Sequence, residues 1–161
     1  MTKTNAIRLL DSAQIKYVIY EYDISDGKID GISVALKIGK EAERVYKTLV
    51  AVGKVTGINV FLVPVEHELD LKKAARAAGD KNIEMIKSRE LELLTGYIHG
   101  GCSPIGMKKS FPTFIEETAE LHDTIIFSAG RIGLQVETSP NDFVQITKAV
   151  YSDLVKPDGQ V

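Results

Sequence analysis

An α+β domain around a mixed, largely antiparallel sheet is predicted by three features of this 161-residue chain. Helix-period and strand-period segments are interleaved without the regular βαβ alternation of a doubly wound sheet. Two strand pairs are joined by short glycine-bearing turns. No internal repeat, low-complexity tract or linker divides the chain, and a domain of this length hides roughly 70% of the surface its unfolded form exposes.

Taken in order, Thr4 or Asn5 caps a short helix whose apolar side carries Ile7, Leu10 and Ala13, and the run from Tyr17 to Tyr22 reads as a strand. Asp26 to Gly31 is turn chemistry, and Ser33 to Ile38 a short helix. Val45 to Val52 is a largely apolar strand, Gly53 to Gly57 closes a hairpin, and Asn59 to Val65 returns, with Pro64 near the end where a missing N–H is least harmful. Asp70 precedes Leu71, Ala74, Ala75 and Ala78 at helical spacing, and Gly79 ends that helix. Ser88 opens another helix that stops at Gly96, and Gly100 to Pro112 is loop. Strands follow at Thr113 to Ile115 and Thr124 to Ser128, then a turn at Ala129 to Gly133 and a returning strand at Leu134 to Thr138. Ser139-Pro140-Asn141-Asp142 starts the last helix, with Phe143, Ile146, Val150 and Leu154 on its inner face.

Charge and composition narrow the function classes. Twenty basic and twenty-two acidic side chains give a formal charge of −2, so no global positive field holds a polyanion, and a nucleic-acid partner must meet a local patch. The N-terminus lacks the unbroken apolar stretch of a secretory signal, no window approaches the roughly 20 apolar residues of a membrane span, and the single cysteine forms no internal disulfide. These features point to the cytoplasm.

The densest cluster of unusual residues is Gly96-Tyr97-Ile98-His99-Gly100-Gly101-Cys102-Ser103-Pro104-Ile105-Gly106-Met107-Lys108-Lys109. Its glycines suit either a tight connection or a backbone that turns N–H groups towards an anion or a developing oxyanion. It is not a nucleotide P-loop, because Met107 stands where lysine is needed. Cys102 and His99 have no evident third orienting residue for a nucleophile and base. His67, His99 and His122 with one cysteine show no metal-ligand spacing, and the G-x-S-x-G elbow is absent around Ser128. Lys47, inside an apolar strand, either snorkels at a sheet face or meets an anion. Lys72, Lys73, Arg76, Lys108 and Lys109 suit a phosphate backbone or a solvated face equally.

Several blocks, taken together, resemble the YbaK/EbsC family of Cys-tRNA(Pro) deacylases nearly end to end. They are Thr4-Asn5-Ala6, Val45-Tyr46-Lys47-Thr48-Leu49-Val50, Glu68-Leu69-Asp70-Leu71-Lys72-Lys73, Thr95-Gly96-Tyr97-Ile98-His99-Gly100-Gly101, Ser103-Pro104-Ile105-Gly106 and Ser128-Ala129-Gly130. The resemblance implies a barrel-like sheet flanked by helices, a single deacylase domain over 1–156 with a tail at 157–161, and kinship with the editing domain of bacterial prolyl-tRNA synthetases. It implies an enzyme that clears cysteine mischarged on proline tRNA, without cofactor, metal or membrane, with aminoacyl-tRNA as substrate and prolyl-tRNA synthetase as partner. Lys47 falls on the family's functional lysine, which would hold the 3′-terminal nucleotide, and Lys47 and Gly101 are the implied catalytic residues. Gly100, Gly101, Ser103 and Pro104 match a G-x-x-x-P motif at the amino-acid pocket; Ser128 and Gly130 match a second loop, Tyr20 a position that is aromatic in the family, and Thr48 adds a hydrogen bond.

The implied mechanism is substrate-assisted: the thiol of the bound cysteine attacks its own ester and Cys102 is a bystander. Asp26 to Gly39 departs from the family where an aromatic residue helps to close the pocket, and Ile29 and Ile32 are the nearest bulky residues. A relative that strips alanine with activated water, and a non-catalytic module binding an aminoacyl or nucleotide end, share the same cleft.

Overall fold

In the computed structural model, which describes residues 2–157, the chain order is α1 (Asn5–Ser12), β1 (Val18–Glu21), α2 (Gly31–Ile38), β2 (Tyr46–Gly53), β3 (Gly57–Pro64), α3 (Leu71–Ala78) and β4 (Ile83–Met85). It continues with α4 (Ser88–Thr95), β5 (Thr113–Glu116), β6 (Ile125–Arg131), β7 (Leu134–Thr138), α5 (Pro140–Thr147) and β8 (Val150–Ser152). The expected tail at 157–161 lies outside the described residues but for Pro157. Among the described residues, no helix is long and apolar enough to cross a membrane.

The strands form two sheets. A wholly antiparallel three-stranded sheet has the order β1-β7-β6, and a mixed five-stranded sheet the order β4-β2-β3-β5-β8, where β3, β5 and β8 run parallel. One parallel bridge, Val45 to Ile126, links them without closing a continuous barrel. Between the sheets lies the main core: Val50, Val60, Leu62 and Ile115 from one, Phe127, Leu134 and Val136 from the other, and Ile7 and Leu10 from α1. The opposite face of the five-stranded sheet is covered by Ala74 and Ala75 of α3 against Phe61, Val63 and Phe114, with the two phenyl rings stacked at 5.4 Å. Burial on both faces explains why β2 and β3 read as apolar runs rather than alternating ones.

Local chemistry sets the ends of the elements. The Thr4 hydroxyl accepts from the Ile7 N–H and donates to the Ala129 carbonyl, so the cap of α1 also ties it to β6. Asp30, Asp70 and Ser139 cap α2, α3 and α5, while Gly39, Gly79 and Gly96 end α2, α3 and α4 in the left-handed conformation.

Local expectations differ from the structure in two places. The last helix stops at Thr147, where Lys148 turns left-handed at φ 61°, so neither Val150 nor Leu154 is on its inner face, and Leu154 packs instead in the core under α3. Val150 enters β8 beside Phe114 and is 55% exposed, because β-branched and aromatic residues there satisfy the open edge of β5. The strand expected to stop at Ser128 runs to Arg131 through a bulge, which reduces the turn to Ile132 and Gly133. Ser88 opens α4 as expected, with Lys87 at the cap position and no side-chain bond there. The three residues of β4 carried too little periodicity to foresee.

A polar cluster fastens the approach to β2 onto the three-stranded sheet. Glu137 of β7 accepts from the Tyr20 hydroxyl, the Thr124 hydroxyl and the Arg44 guanidinium, the last at 2.7 Å. Burial opposes ionisation of Glu137, but the hydrogen bonds from Thr124 and Tyr20 and the charge of Arg44 outweigh it and hold the carboxyl below its ordinary range. A carboxylate so depressed contributes stability above its unfolded pKa of about 4.3, and that contribution fades as pH falls through the folded value. Glu137→Gln is expected to cost about 2 kcal/mol near pH 7, the scale of a hydrogen-bonded charge. Urea unfolding at successive pH values checks this, with the gap between wild type and variant narrowing in acid.

Candidate functional site

Only the last three residues of β2, Ala51 to Gly53, pair with β4, so its first half has β3 on one side and no strand on the other. Along that open edge lies a cavity of about 380 Å³. Val45 to Leu49 form one wall, Ser128 and Gln135 of the three-stranded sheet with Tyr22 just past β1 a second, Ile29 to Ile32 and Val34 around the start of α2 a third, and His99, Gly100 and Cys102 the last. Consecutive β2 residues reach it from both faces, as expected where a strand presents its edge. The first turn of α2 rests directly on β3's exit: a Cβ at Gly31 would lie 2.4 Å from Val65 Cγ1.

Lys47 is the strand's one cation at this wall, with its side chain 28% exposed. Its Nζ stands 3.7 Å from Glu68 Oε1, whose side chain is 72% exposed. Such a long, solvated pair holds the ammonium weakly, and an anionic ligand can displace the glutamate at little cost. Also on the wall are Asp30, which accepts from the Ser33 N–H and hydroxyl as the cap of α2, and the exposed imidazole of His99.

The glycine-rich loop is held from behind. The Tyr97 hydroxyl donates to the Ile105 carbonyl at 2.6 Å, the fully buried Ser103 hydroxyl accepts from the Ile105 N–H, and Asn5 Nδ2 donates to the Gly106 carbonyl. Gly100 has φ 87°, and a Cβ at Gly101 would come within 2.9 Å of the Ile132 nitrogen. That clash is with backbone, so this face of the loop admits no side chain at residue 101. The Gly101 N–H donates to the Ile98 carbonyl.

Of the residues singled out in the sequence, Lys47, Thr48, Gly100 and Ser128 meet on the cavity wall. Gly101, Ser103 and Gly130 stand behind it: Gly130, at φ 97°, packs on the Tyr97 ring, and the Ser128 hydroxyl accepts its N–H. Pro104 lines a separate hollow of about 430 Å³ on the other side of the loop, with Leu9 and Phe111. Tyr20 is turned to Glu137 and does not reach the wall. Tyr22 and Gln135 do reach it and were not singled out; alternation from Tyr20 and the lone polar residue between Leu134 and Val136 were the available signals. Ile29 and Ile32 flank the opening in the segment that departs from the family pattern.

The one cysteine at the cavity is not an activated nucleophile. Burial pushes the Cys102 thiol up to about 11, which leaves about one thiolate in 10³ near pH 8. Four buried wall oxygens, Tyr22 Oη, Tyr46 Oη, Thr48 Oγ1 and Gln135 Oε1, have no hydrogen-bond partner among the described residues. Among those residues there is also no cluster of three side chains that could hold a metal ion.

The arrangement has known relatives. The profile of the aminoacyl-tRNA editing domain matches residues 32–146. A candidate Cys-tRNA(Pro)/Cys-tRNA(Cys) deacylase, EbsC of Enterococcus faecalis, is 45% identical over 152 residues, covering 94% of this chain and 93% of its own. A solved structure described as a candidate trans-editing enzyme for prolyl tRNA synthetase superposes with a TM-score of 0.82 at 26% identity, covering 98% of this chain and all of its own. A hypothetical protein of known structure shares the fold, with a TM-score of 0.86 at 18% identity over 95% of this chain and all of its own. With the profile spanning most of the cavity-forming elements and a relative this similar end to end, the chain belongs to the aminoacyl-tRNA editing domain family.

Proposed function

We propose that this protein is a cytoplasmic Cys-tRNA(Pro) deacylase that edits in trans. One observation carries the reading: a single hollow joins the loosely paired Lys47 to the glycine-rich loop, and its cysteine is too buried to serve as a nucleophile. The name of the Enterococcus relative supports the choice of cysteine and proline tRNA. Lys47 anchors the 3′-terminal nucleotide, the acyl group lies between Gly100, Ser128 and the α2 wall, and Gly101, Ser103, Pro104 and Gly130 keep the loop in place. Thr48 offers its unpartnered hydroxyl to the same ligand, while Tyr20 acts at one remove through Glu137.

The cysteinyl group supplies the reagent. Its sulfur attacks its own carbonyl carbon, the new C–S bond forms as the ester C–O bond breaks, and the thiol proton passes to the departing ribose oxygen. The products are a cyclic thiolactone and free tRNA. Holding the acyl chain folded supplies effective molarities of ~10⁵ M or more, equivalent to about 7 kcal/mol of barrier, with no protein base. A charge of −2 gives the protein little purchase on tRNA by itself. Delivery by prolyl-tRNA synthetase supplies the missing affinity.

Release of labelled amino acid from charged proline tRNA tests the reading. Cysteine is expected to be released well above the buffer rate and serine at least about 100-fold more slowly, because a hydroxyl is a far weaker internal nucleophile. Lys47→Ala is expected to lose about 10- to 100-fold, the scale of one charge-assisted hydrogen bond to the terminal nucleotide. Equal cysteine and alanine rates would instead mark a water-using deacylase, and binding without turnover a non-catalytic module. Cys102→Ser is expected to retain full activity, and a large loss there would return the nucleophile to the protein.

A further inference from the structure

We infer that Gln135 is the receptor for the α-ammonium group of the bound aminoacyl ligand, an inference that rests on the deacylase reading. Gln135 is 6% exposed, lines the cavity and has an amide oxygen with no partner among the described residues. A buried, unpartnered acceptor costs stability unless a ligand completes it. It stands between Tyr20 and Ser128 in the three-stranded sheet, whereas Lys47 belongs to the other sheet.

Chemistry selects the ligand group. An aminoacyl ester brings one cation, its ammonium, and that cation is repelled by Lys47. On the wall, Asp30 is the one carboxylate among the described residues, and its oxygens already accept from Ser33. The ammonium must therefore find neutral acceptors, and among the unpartnered wall oxygens Gln135 offers the one amide carbonyl, the others being the hydroxyls of Tyr22, Tyr46 and Thr48. This places the two charged ends of the substrate on different sheets: phosphate towards β2, amine towards β7. The site so described selects an α-amino acyl group, and not any thiol-bearing acyl group of similar size.

Two stable ligands test this apart from turnover: the 3′-amide of cysteine on 3′-amino-3′-deoxyadenosine, and its 3-mercaptopropionyl counterpart, which keeps the thiol and lacks the amine. Calorimetric titration should show wild type binding the first about 10- to 100-fold more tightly, the scale of one hydrogen bond to a charged group. Gln135→Leu should erase that preference while leaving binding of the deamino ligand within about two-fold, and Gln135→Glu should restore it. The melting temperature of Gln135→Leu should equal or exceed that of wild type, since no protein partner is lost. Should Gln135→Leu weaken both ligands alike, or wild type ignore the amine, the assignment is overturned. A wild type that binds the cysteine amide with this preference yet releases no cysteine from tRNA overturns the deacylase reading alone.

Discussion

The backbone contact between Gly101 and the β6–β7 turn is the constraint on which the site depends. With no room for a Cβ between Gly101 and Ile132, the loop lies flat on the hairpin, and Gly100 and Cys102 on either side of the contact face the cavity. Tyr97 reinforces it by packing on the bulge at Gly130 while its hydroxyl holds the Ile105 carbonyl. The small residues of this region thus act through proximity of main chains, and few of them touch the hollow they define. Strand and loop are positioned separately, by the Arg44–Glu137 cluster and by this contact, and both refer to the same three-stranded sheet.

The chemistry of the hollow is marked by restraint. Its cysteine is too buried to ionise readily, its carboxylate is spent on a helix cap, and its lysine is held by one distant, solvated glutamate. What the protein does supply is shape, one loosely held positive charge and several unsatisfied oxygens. This inventory fits a reaction whose nucleophile arrives with the substrate, where orientation is the main contribution required of the enzyme.

Much of this was legible in the sequence, for physical reasons that differ from element to element. Thr4, Asp70 and the Ser139-Pro140 pair announced helix starts because capping is local chemistry, and Gly79 and Gly96 announced ends for the same reason. Val150 misled because its spacing from Phe143 and Ile146 suits a helix as well, and only the open edge of β5, a tertiary fact, decides otherwise. Lys47 stood out as a charge in an apolar strand; Tyr20 and Tyr22 lie on one side of the same strand run, and only the position of Glu137 diverts the first. Gln135 looked like an ordinary polar position until its missing partner became visible.

The seating of Gly31 on Val65 carries a further consequence. Because the start of α2 rests on a single valine methyl at the exit of β3, the bulk of residue 65 sets how far that helix stands from the opposite wall. Val65 itself borders the hollow. The acyl-chain capacity of this chamber is therefore tied to one aliphatic position, whose bulk widens or narrows it while every polar contact stays in place.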